Sequence, residues 1–166
     1  MGKVIWLSKM GEEKMNNIIS NVETIANYFL SEESMTPKKL QKVCYYAYSW
    51  YLTLFDDYLF DDGKFQAWVH GPVNVVLYDK YKRYGWRNIP MAVKPNLDHQ
   101  LTEFLDMILN TYKEFNGDQL ENMTHNETPW IEARWGLAPE QPSNNVINDI
   151  TIKNFYYKLM EDGQVE

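Results

Sequence analysis

At 166 residues and 19.7 kDa, with 45% hydrophobic and 15% aromatic residues, the chain has the length and apolar content for one domain with a substantial core, which excludes the disordered class. The formal charge of −7 sits in the second half: residues 1–84 carry ten Lys or Arg against ten Asp or Glu, residues 85–166 six against thirteen, a balance that argues against a general nucleic-acid surface. A single cysteine, Cys44, excludes a disulfide framework, and the N-terminal apolar run of residues 4–7 is too short for a signal segment or a membrane span, so a soluble cytoplasmic protein is expected.

Residues 1–11 read as an N-terminal extension, and residues 12–162 as one helical domain. Apolar residues at Met15, Ile18, Ile19, Val22, Ile25, Ala26 and Phe29 predict a helix over 12–30. Thr36 can cap and Pro37 can start a second helix over 37–55, with Leu40, Val43, Cys44, Ala47, Tyr51 and Leu54 on one face and further aromatics on its flanks. A helix apolar almost all round should be the buried centre of a bundle. Asp56, Asp57, Asp61, Asp62 and Gly63 form a turn-rich stretch whose spacing does not fit a calcium loop. A short strand is expected over 64–69, ended by His70, Gly71 and Pro72, with Pro72 launching a helix over 73–84 that Gly85 closes. After a loop over 87–95, Asn96 is expected to cap a long amphipathic helix reaching Phe115, which Gly117 stops. Short helices over 118–124 and 129–134, the second opened by Pro129, an irregular stretch over 136–143 and a final helix over 149–160 behind an Asn148 or Asp149 cap complete a mainly α fold, a single helical bundle with a minor β element.

No nucleophile elbow, phosphate-binding glycine loop or zinc helix occurs. His70, His99 and His125 stand in different segments, and His125 lies beside Glu127 near a helix end. Cys44, on a buried face, reads as an apolar filler. Lys39, Gln41 and Lys42 are not used by the apolar stripe of their helix and read as a wet face. Trp68 can fill the core, or stand with His70 at the rim of a binding surface; Tyr78, Tyr81 and Tyr84 line one narrow face and pose the same choice. Trp130 is expected to pack behind Pro129, and Arg134 either holds a carboxylate in the fold or meets a partner.

Several of these segments together carry a resemblance. The run from Met35 to Trp50, then Trp68-Val69-His70-Gly71-Pro72-Val73, then Tyr78-x-x-Tyr81-x-x-Tyr84-Gly85, resembles the Panacea (SocA-like) antitoxin domain of bacterial and phage toxin–antitoxin pairs. Leu120-x-x-Met123-Thr124-His125 and Pro129-Trp130-x-x-Ala133-Arg134 are similar to that family's second motif, and the likeness spans roughly residues 15–160. The resemblance implies a non-enzymatic antitoxin that neutralises a cognate protein toxin by direct binding, with no cofactor and no metal. It implies partner contact through Lys39, Gln41, Lys42, Trp68, His70, Tyr78, Tyr81, His125, Trp130 and Arg134 on a scaffold set by Thr36, Pro37, Gly71, Pro72, Gly85 and Pro129. Residues 1–11, 86–95 and 137–148 are then the parts that select the toxin. For part of the family it also implies an adaptor that delivers a client to an ATP-dependent protease. An enzyme assembled around His70 and His125, and a DNA-binding autorepressor, remain open as weaker readings. Neither a membrane partner nor an oligomeric state is implied.

Overall fold

The computed structural model describes residues 20–165, and the apolar spacing resolves there into seven α-helices and one hairpin. Helix α1, Val22–Glu32, begins where the Asn21 side chain accepts from the Thr24 amide at 2.8 Å. Ser20 is not helical, unlike the helix expected from residue 12: it bridges Phe60, and its amide donates to the Leu59 carbonyl at 3.0 Å. The expected extension over 1–11 and the helical stretch to residue 19 lie outside the described residues. Helix α2, Pro37–Phe55, starts as its sequence predicts, with the Thr36 hydroxyl accepting from the Lys39 amide at 3.2 Å and Pro37 in the first turn. Asp56, at φ 51°, ends it. Every side chain from Leu40 to Leu52 is buried, which makes α2 the enclosed centre of the fold. That enclosure corrects one expectation: Gln41 and Lys42 lie inside, at 5% and 2% exposure, instead of on a wet face.

The largest departure from the periodicity lies between residues 65 and 75. Strand β1, Phe65–Trp68, pairs antiparallel with β2, Gly71–Asn74, where a helix was expected from Val73. Ala67 stands opposite Pro72 but sends its amide to the Asn145 carbonyl at 2.8 Å on its other edge, so this pair asks no donor of the proline. Gln41 then fixes β2 to the central helix, because its side-chain amide donates to the Asn74 carbonyl and accepts from the Asn74 amide, both at 2.9 Å. The Asn74 side chain accepts from the Leu77 amide at 3.2 Å, so helix α3 runs Val75–Tyr81. A 3-10 turn over Lys82–Tyr84 follows, and Gly85, at φ 57°, closes it as expected.

Two further caps differ from expectation. Helix α4, His99–Tyr112, is capped by Asp98 and not Asn96, and it ends before Phe115. Gly117 does not stop that helix; it opens α5, Gly117–His125, inside an Asn116/Gln119 capping box. A Cβ on Gly117 would lie 3.1 Å from the Lys39 amide nitrogen, so the small residue lets α5 approach the start of α2. Helix α6, Thr128–Ala133, carries Pro129 in its first turn, and α7, Asp149–Val165, is capped by Asn148, which accepts from the Ile150 amide at 2.8 Å. Helices α1, α4, α5 and α7 and the hairpin all pack on α2, a mainly α fold with a minor β element.

The aromatic content is spent largely in this core. Tyr46 stacks on Tyr112 with centroids 4.1 Å apart, and Trp50 donates to the Tyr112 hydroxyl at 2.8 Å. Tyr46 and Tyr156 both donate to the Glu127 carboxylate, at 3.0 and 2.6 Å. Asp149 likewise accepts from Tyr48 and Tyr58 at 2.7 Å and from Lys64 at 2.6 Å, which hold it below the usual carboxylate range against the opposing effect of burial. Among the described residues no cation pairs with Glu127, and burial raises it to about 7 although both tyrosines oppose the shift. Its folded form therefore binds a proton more tightly than the unfolded chain. The stability this gives is full below the ordinary value of 4.5 and lost as pH rises through about 7. Glu127→Gln should remove that slope and leave the variant about 1–2 kcal/mol more stable than wild type at pH 8. Parallel denaturant profiles for the two proteins from pH 4.5 to 8 would reject this account.

Candidate functional site: a braced aromatic groove

A groove of about 450 Å³ opens between the first turns of α2, the hairpin, α3 and Trp86. It gathers six residues that the sequence assigned to partner contact, Gln41, Lys42, Trp68, His70, Tyr78 and Tyr81, with Pro37 and Gly85 also in its lining. Trp68 and Tyr78 form one wall, edge to face at 4.8 Å, and Tyr78 remains 41% exposed. Tyr81 is nearly buried behind them, and Leu40, Val73 and Leu77 supply the apolar floor. Trp86, 83% exposed, forms the opposite rim, with the Lys38 ammonium 5.4 Å from its ring centroid.

Charged groups occupy the base and one edge. Lys42 donates to the Pro72 carbonyl at 3.1 Å, its only hydrogen bond among the described residues. Burial pushes the Lys42 amine down to about 7; Glu121 opposes the shift and Lys38 adds to it. Glu121 is shared between Lys38, at 2.7 Å, and His70, at 3.3 Å, while Lys38 also meets Asp118 at 2.9 Å. Burial pushes Glu121 up, but Lys38 and the hydrogen bond from His70 outweigh it and hold the carboxyl below the usual range. Gly71 covers Lys42 at φ 104°, and a Cβ there would lie 2.6 Å from Lys42 Cε and 3.1 Å from Thr124 Oγ1. Gly71→Ala should therefore cost about 2–3 kcal/mol through backbone strain and collision with the groove base. An unfolding midpoint within about 1 °C of wild type would contradict this packing.

The second sequence motif stands behind the hairpin, outside the groove. The His125 ring stacks on Trp130 with centroids 3.9 Å apart, and Trp130 donates from Nε1 to the Trp68 carbonyl at 2.9 Å. His125 does not pair with its neighbour Glu127, which turns into the tyrosine core; burial lowers the imidazole below its ordinary value and favours the neutral ring. Arg134, 5% exposed, lies over Trp130 at 5.2 Å and donates to the carbonyls of Ala67 at 2.9 Å, Ala138 at 3.2 Å, Pro139 at 3.4 Å and Gln141 at 2.6 Å. It holds main-chain carbonyls and pairs with no carboxylate of the described residues, which corrects one of the two roles the sequence left open. Pro129 is buried at the start of this brace. Lys39 stands apart, paired with Glu33 at 2.8 Å and donating to the Lys113 carbonyl at 2.9 Å.

The sequence did not single out Leu77 or Lys82 as binding residues, and Trp86 entered only as the first residue of the 86–95 stretch expected to select the toxin. Trp86 had a signal, since a tryptophan beside a glycine at a loop start is an exposed aromatic in the making; Leu77 had none beyond core periodicity. Among the described residues, no helix is long and apolar enough to cross a membrane. No curated protein and no solved structure matches the chain. The sequence model described as antitoxin SocA-like, Panacea domain, matches residues 40–131, more than half of the chain, from the buried part of α2 through the hairpin and groove wall into α6. That match, which takes in most of the groove lining, shows that the chain belongs to the antitoxin SocA-like, Panacea domain family.

Proposed function

We propose that this protein is an antitoxin that neutralises a cognate protein toxin by direct binding, without making or breaking bonds itself, and that residues 12–162 form the binding unit. The observation that carries the proposal is the groove, whose hairpin side, with Trp68, is held by internal hydrogen bonds before any partner arrives. Binding hot spots favour Trp, Tyr and Arg in sites that exclude water, and a site already rigid loses little entropy on docking. Trp68, His70 and Tyr78, with Trp86, are the side chains we assign to toxin contact. Tyr81, Gln41, His125, Trp130 and Arg134 act through the shape they give to the groove.

Co-expression with the product of the adjoining reading frame tests the reading. Growth should be restored by the wild-type chain and lost again with Tyr78→Ala/Trp86→Ala, whose exposed side chains leave the core intact. Persistent toxicity beside the wild-type chain would remove the antitoxin assignment. Full rescue by the double variant would remove the groove from it. Toxin half-life in the same cells separates blocking from delivery to a protease, since only delivery shortens it.

A further inference from the structure

We infer that the groove is built for an acidic–apolar segment of the partner polypeptide, in which one Asp or Glu carboxylate, flanked by large apolar side chains, ends on the Lys42 ammonium. The inference deepens the antitoxin reading and rests on it for the partner's being a protein. The groove lining contains Lys38, Lys42, Lys82 and His70; Lys38 pairs with Glu121 and Asp118, His70 lies against Glu121 and Lys82 pairs with Asp79, whereas Lys42 forms no ion pair with any of the described residues. Lys42 is thus the lining cation that no carboxylate of the described residues meets at contact distance, and a carboxylate of the partner is its complement.

Lys42 is what makes the site selective and not merely attractive. An ammonium has three donors, and this one makes a single hydrogen bond, to Pro72, at 2% exposure. The nearby acid does not complete it: Glu121 is engaged by Lys38 at 2.7 Å and lies 3.3 Å from His70. An incoming carboxylate supplies both the charge and the acceptors that Lys42 lacks, whereas an amide of the same shape supplies only one acceptor and no charge. The walls set the flanking chemistry. Trp68, Tyr78 and Trp86 offer ring faces and edges at the opening, above Leu40, Val73 and Leu77, and apolar side chains on both sides of the carboxylate bury against them.

The test uses the full-length protein on an array of heptapeptides with central Glu, Gln or Lys flanked by all pairings of Leu, Phe and Trp. Wild type should retain Glu-centred peptides about tenfold or more over their Gln counterparts, and Lys42→Met should abolish that preference while keeping the apolar one. Tyr78→Ala should weaken retention of all the peptides. Equal retention of Glu and Gln, a preference that survives Lys42→Met, or retention of no peptide overturns the inference. Complex formation with the adjoining gene product is measured separately. If that complex forms but the array shows no Glu preference, the segment chemistry is wrong and the antitoxin reading stands; if no complex forms while the Glu preference holds, the reverse is true.

Discussion

Arg134→Met should destabilise the protein by about 2–4 kcal/mol, a large effect for a side chain that holds main-chain carbonyls. The guanidinium donates to four carbonyls, one on β1 and three in the turn after α6, and it is enclosed as it does so. Methionine fills most of the volume but donates nothing, so the buried Ala67 carbonyl is left alone and the exposed turn at Ala138, Pro139 and Gln141 loses its tie to β1. Lysine should not rescue the loss, because a point charge on a flexible stem cannot replace a planar fork reaching two segments at once. Denaturant unfolding of wild type and the two variants checks this. A loss below about 1 kcal/mol for Arg134→Met would mean that water reaches those carbonyls freely.

Lys42→Met should act in the opposite direction, stabilising the protein by about 2–4 kcal/mol at pH 6. Both residues are buried cations, but Arg134 is supplied with four acceptors and Lys42 with one. Burial accordingly pushes the Lys42 amine down to about 7 from its ordinary 10.5. Between those values the unfolded chain binds more protons than the folded one, so stability rises with pH across that window, and the full penalty remains below about 7. Methionine removes the penalty and loses one hydrogen bond. The advantage of the variant should shrink from pH 7 to pH 10, and a constant or negative difference would show that Lys42 is satisfied in the folded state. If the same variant loses the preference for a carboxylate, stability has been given up at this position for recognition, a common trade at binding sites.

Together, Glu127 and Lys42 give the wild-type protein two opposed slopes that meet near pH 7, one from a carboxyl raised and one from an amine lowered by burial.

Much of the architecture was legible in the chain because it depends on local signals. Helix α2 runs over the residues that Thr36, Pro37 and the apolar spacing predicted, and Gly85 ends its turn as a left-handed residue should. The same signals failed where a longer-range hydrogen bond outranked them. Pro72 at a helix start and Pro72 in a strand satisfy local rules equally well; the strand wins because Gln41 pairs with Asn74 and residues 145–147 cover the other edge of β1. Gln41 and Lys42 read as a wet face because nothing in α2 itself says that the hairpin and α5 will close over them. Likewise Glu127 stands beside His125 in sequence yet faces Tyr46 and Tyr156, whose positions lie 81 and 29 residues away.

The amino-acid sequence by itself therefore determined the central helix, the mainly α class and the family likeness, since caps, periodicity and ordered motifs are properties of neighbouring residues. The tertiary structure alone decided that the first motifs converge as a groove while the second stands behind it as a brace. It decided also that Lys42 lies at the groove base with one partner. Burial and charge environment are set by segments distant in the chain, and no local pattern encodes which of them will meet.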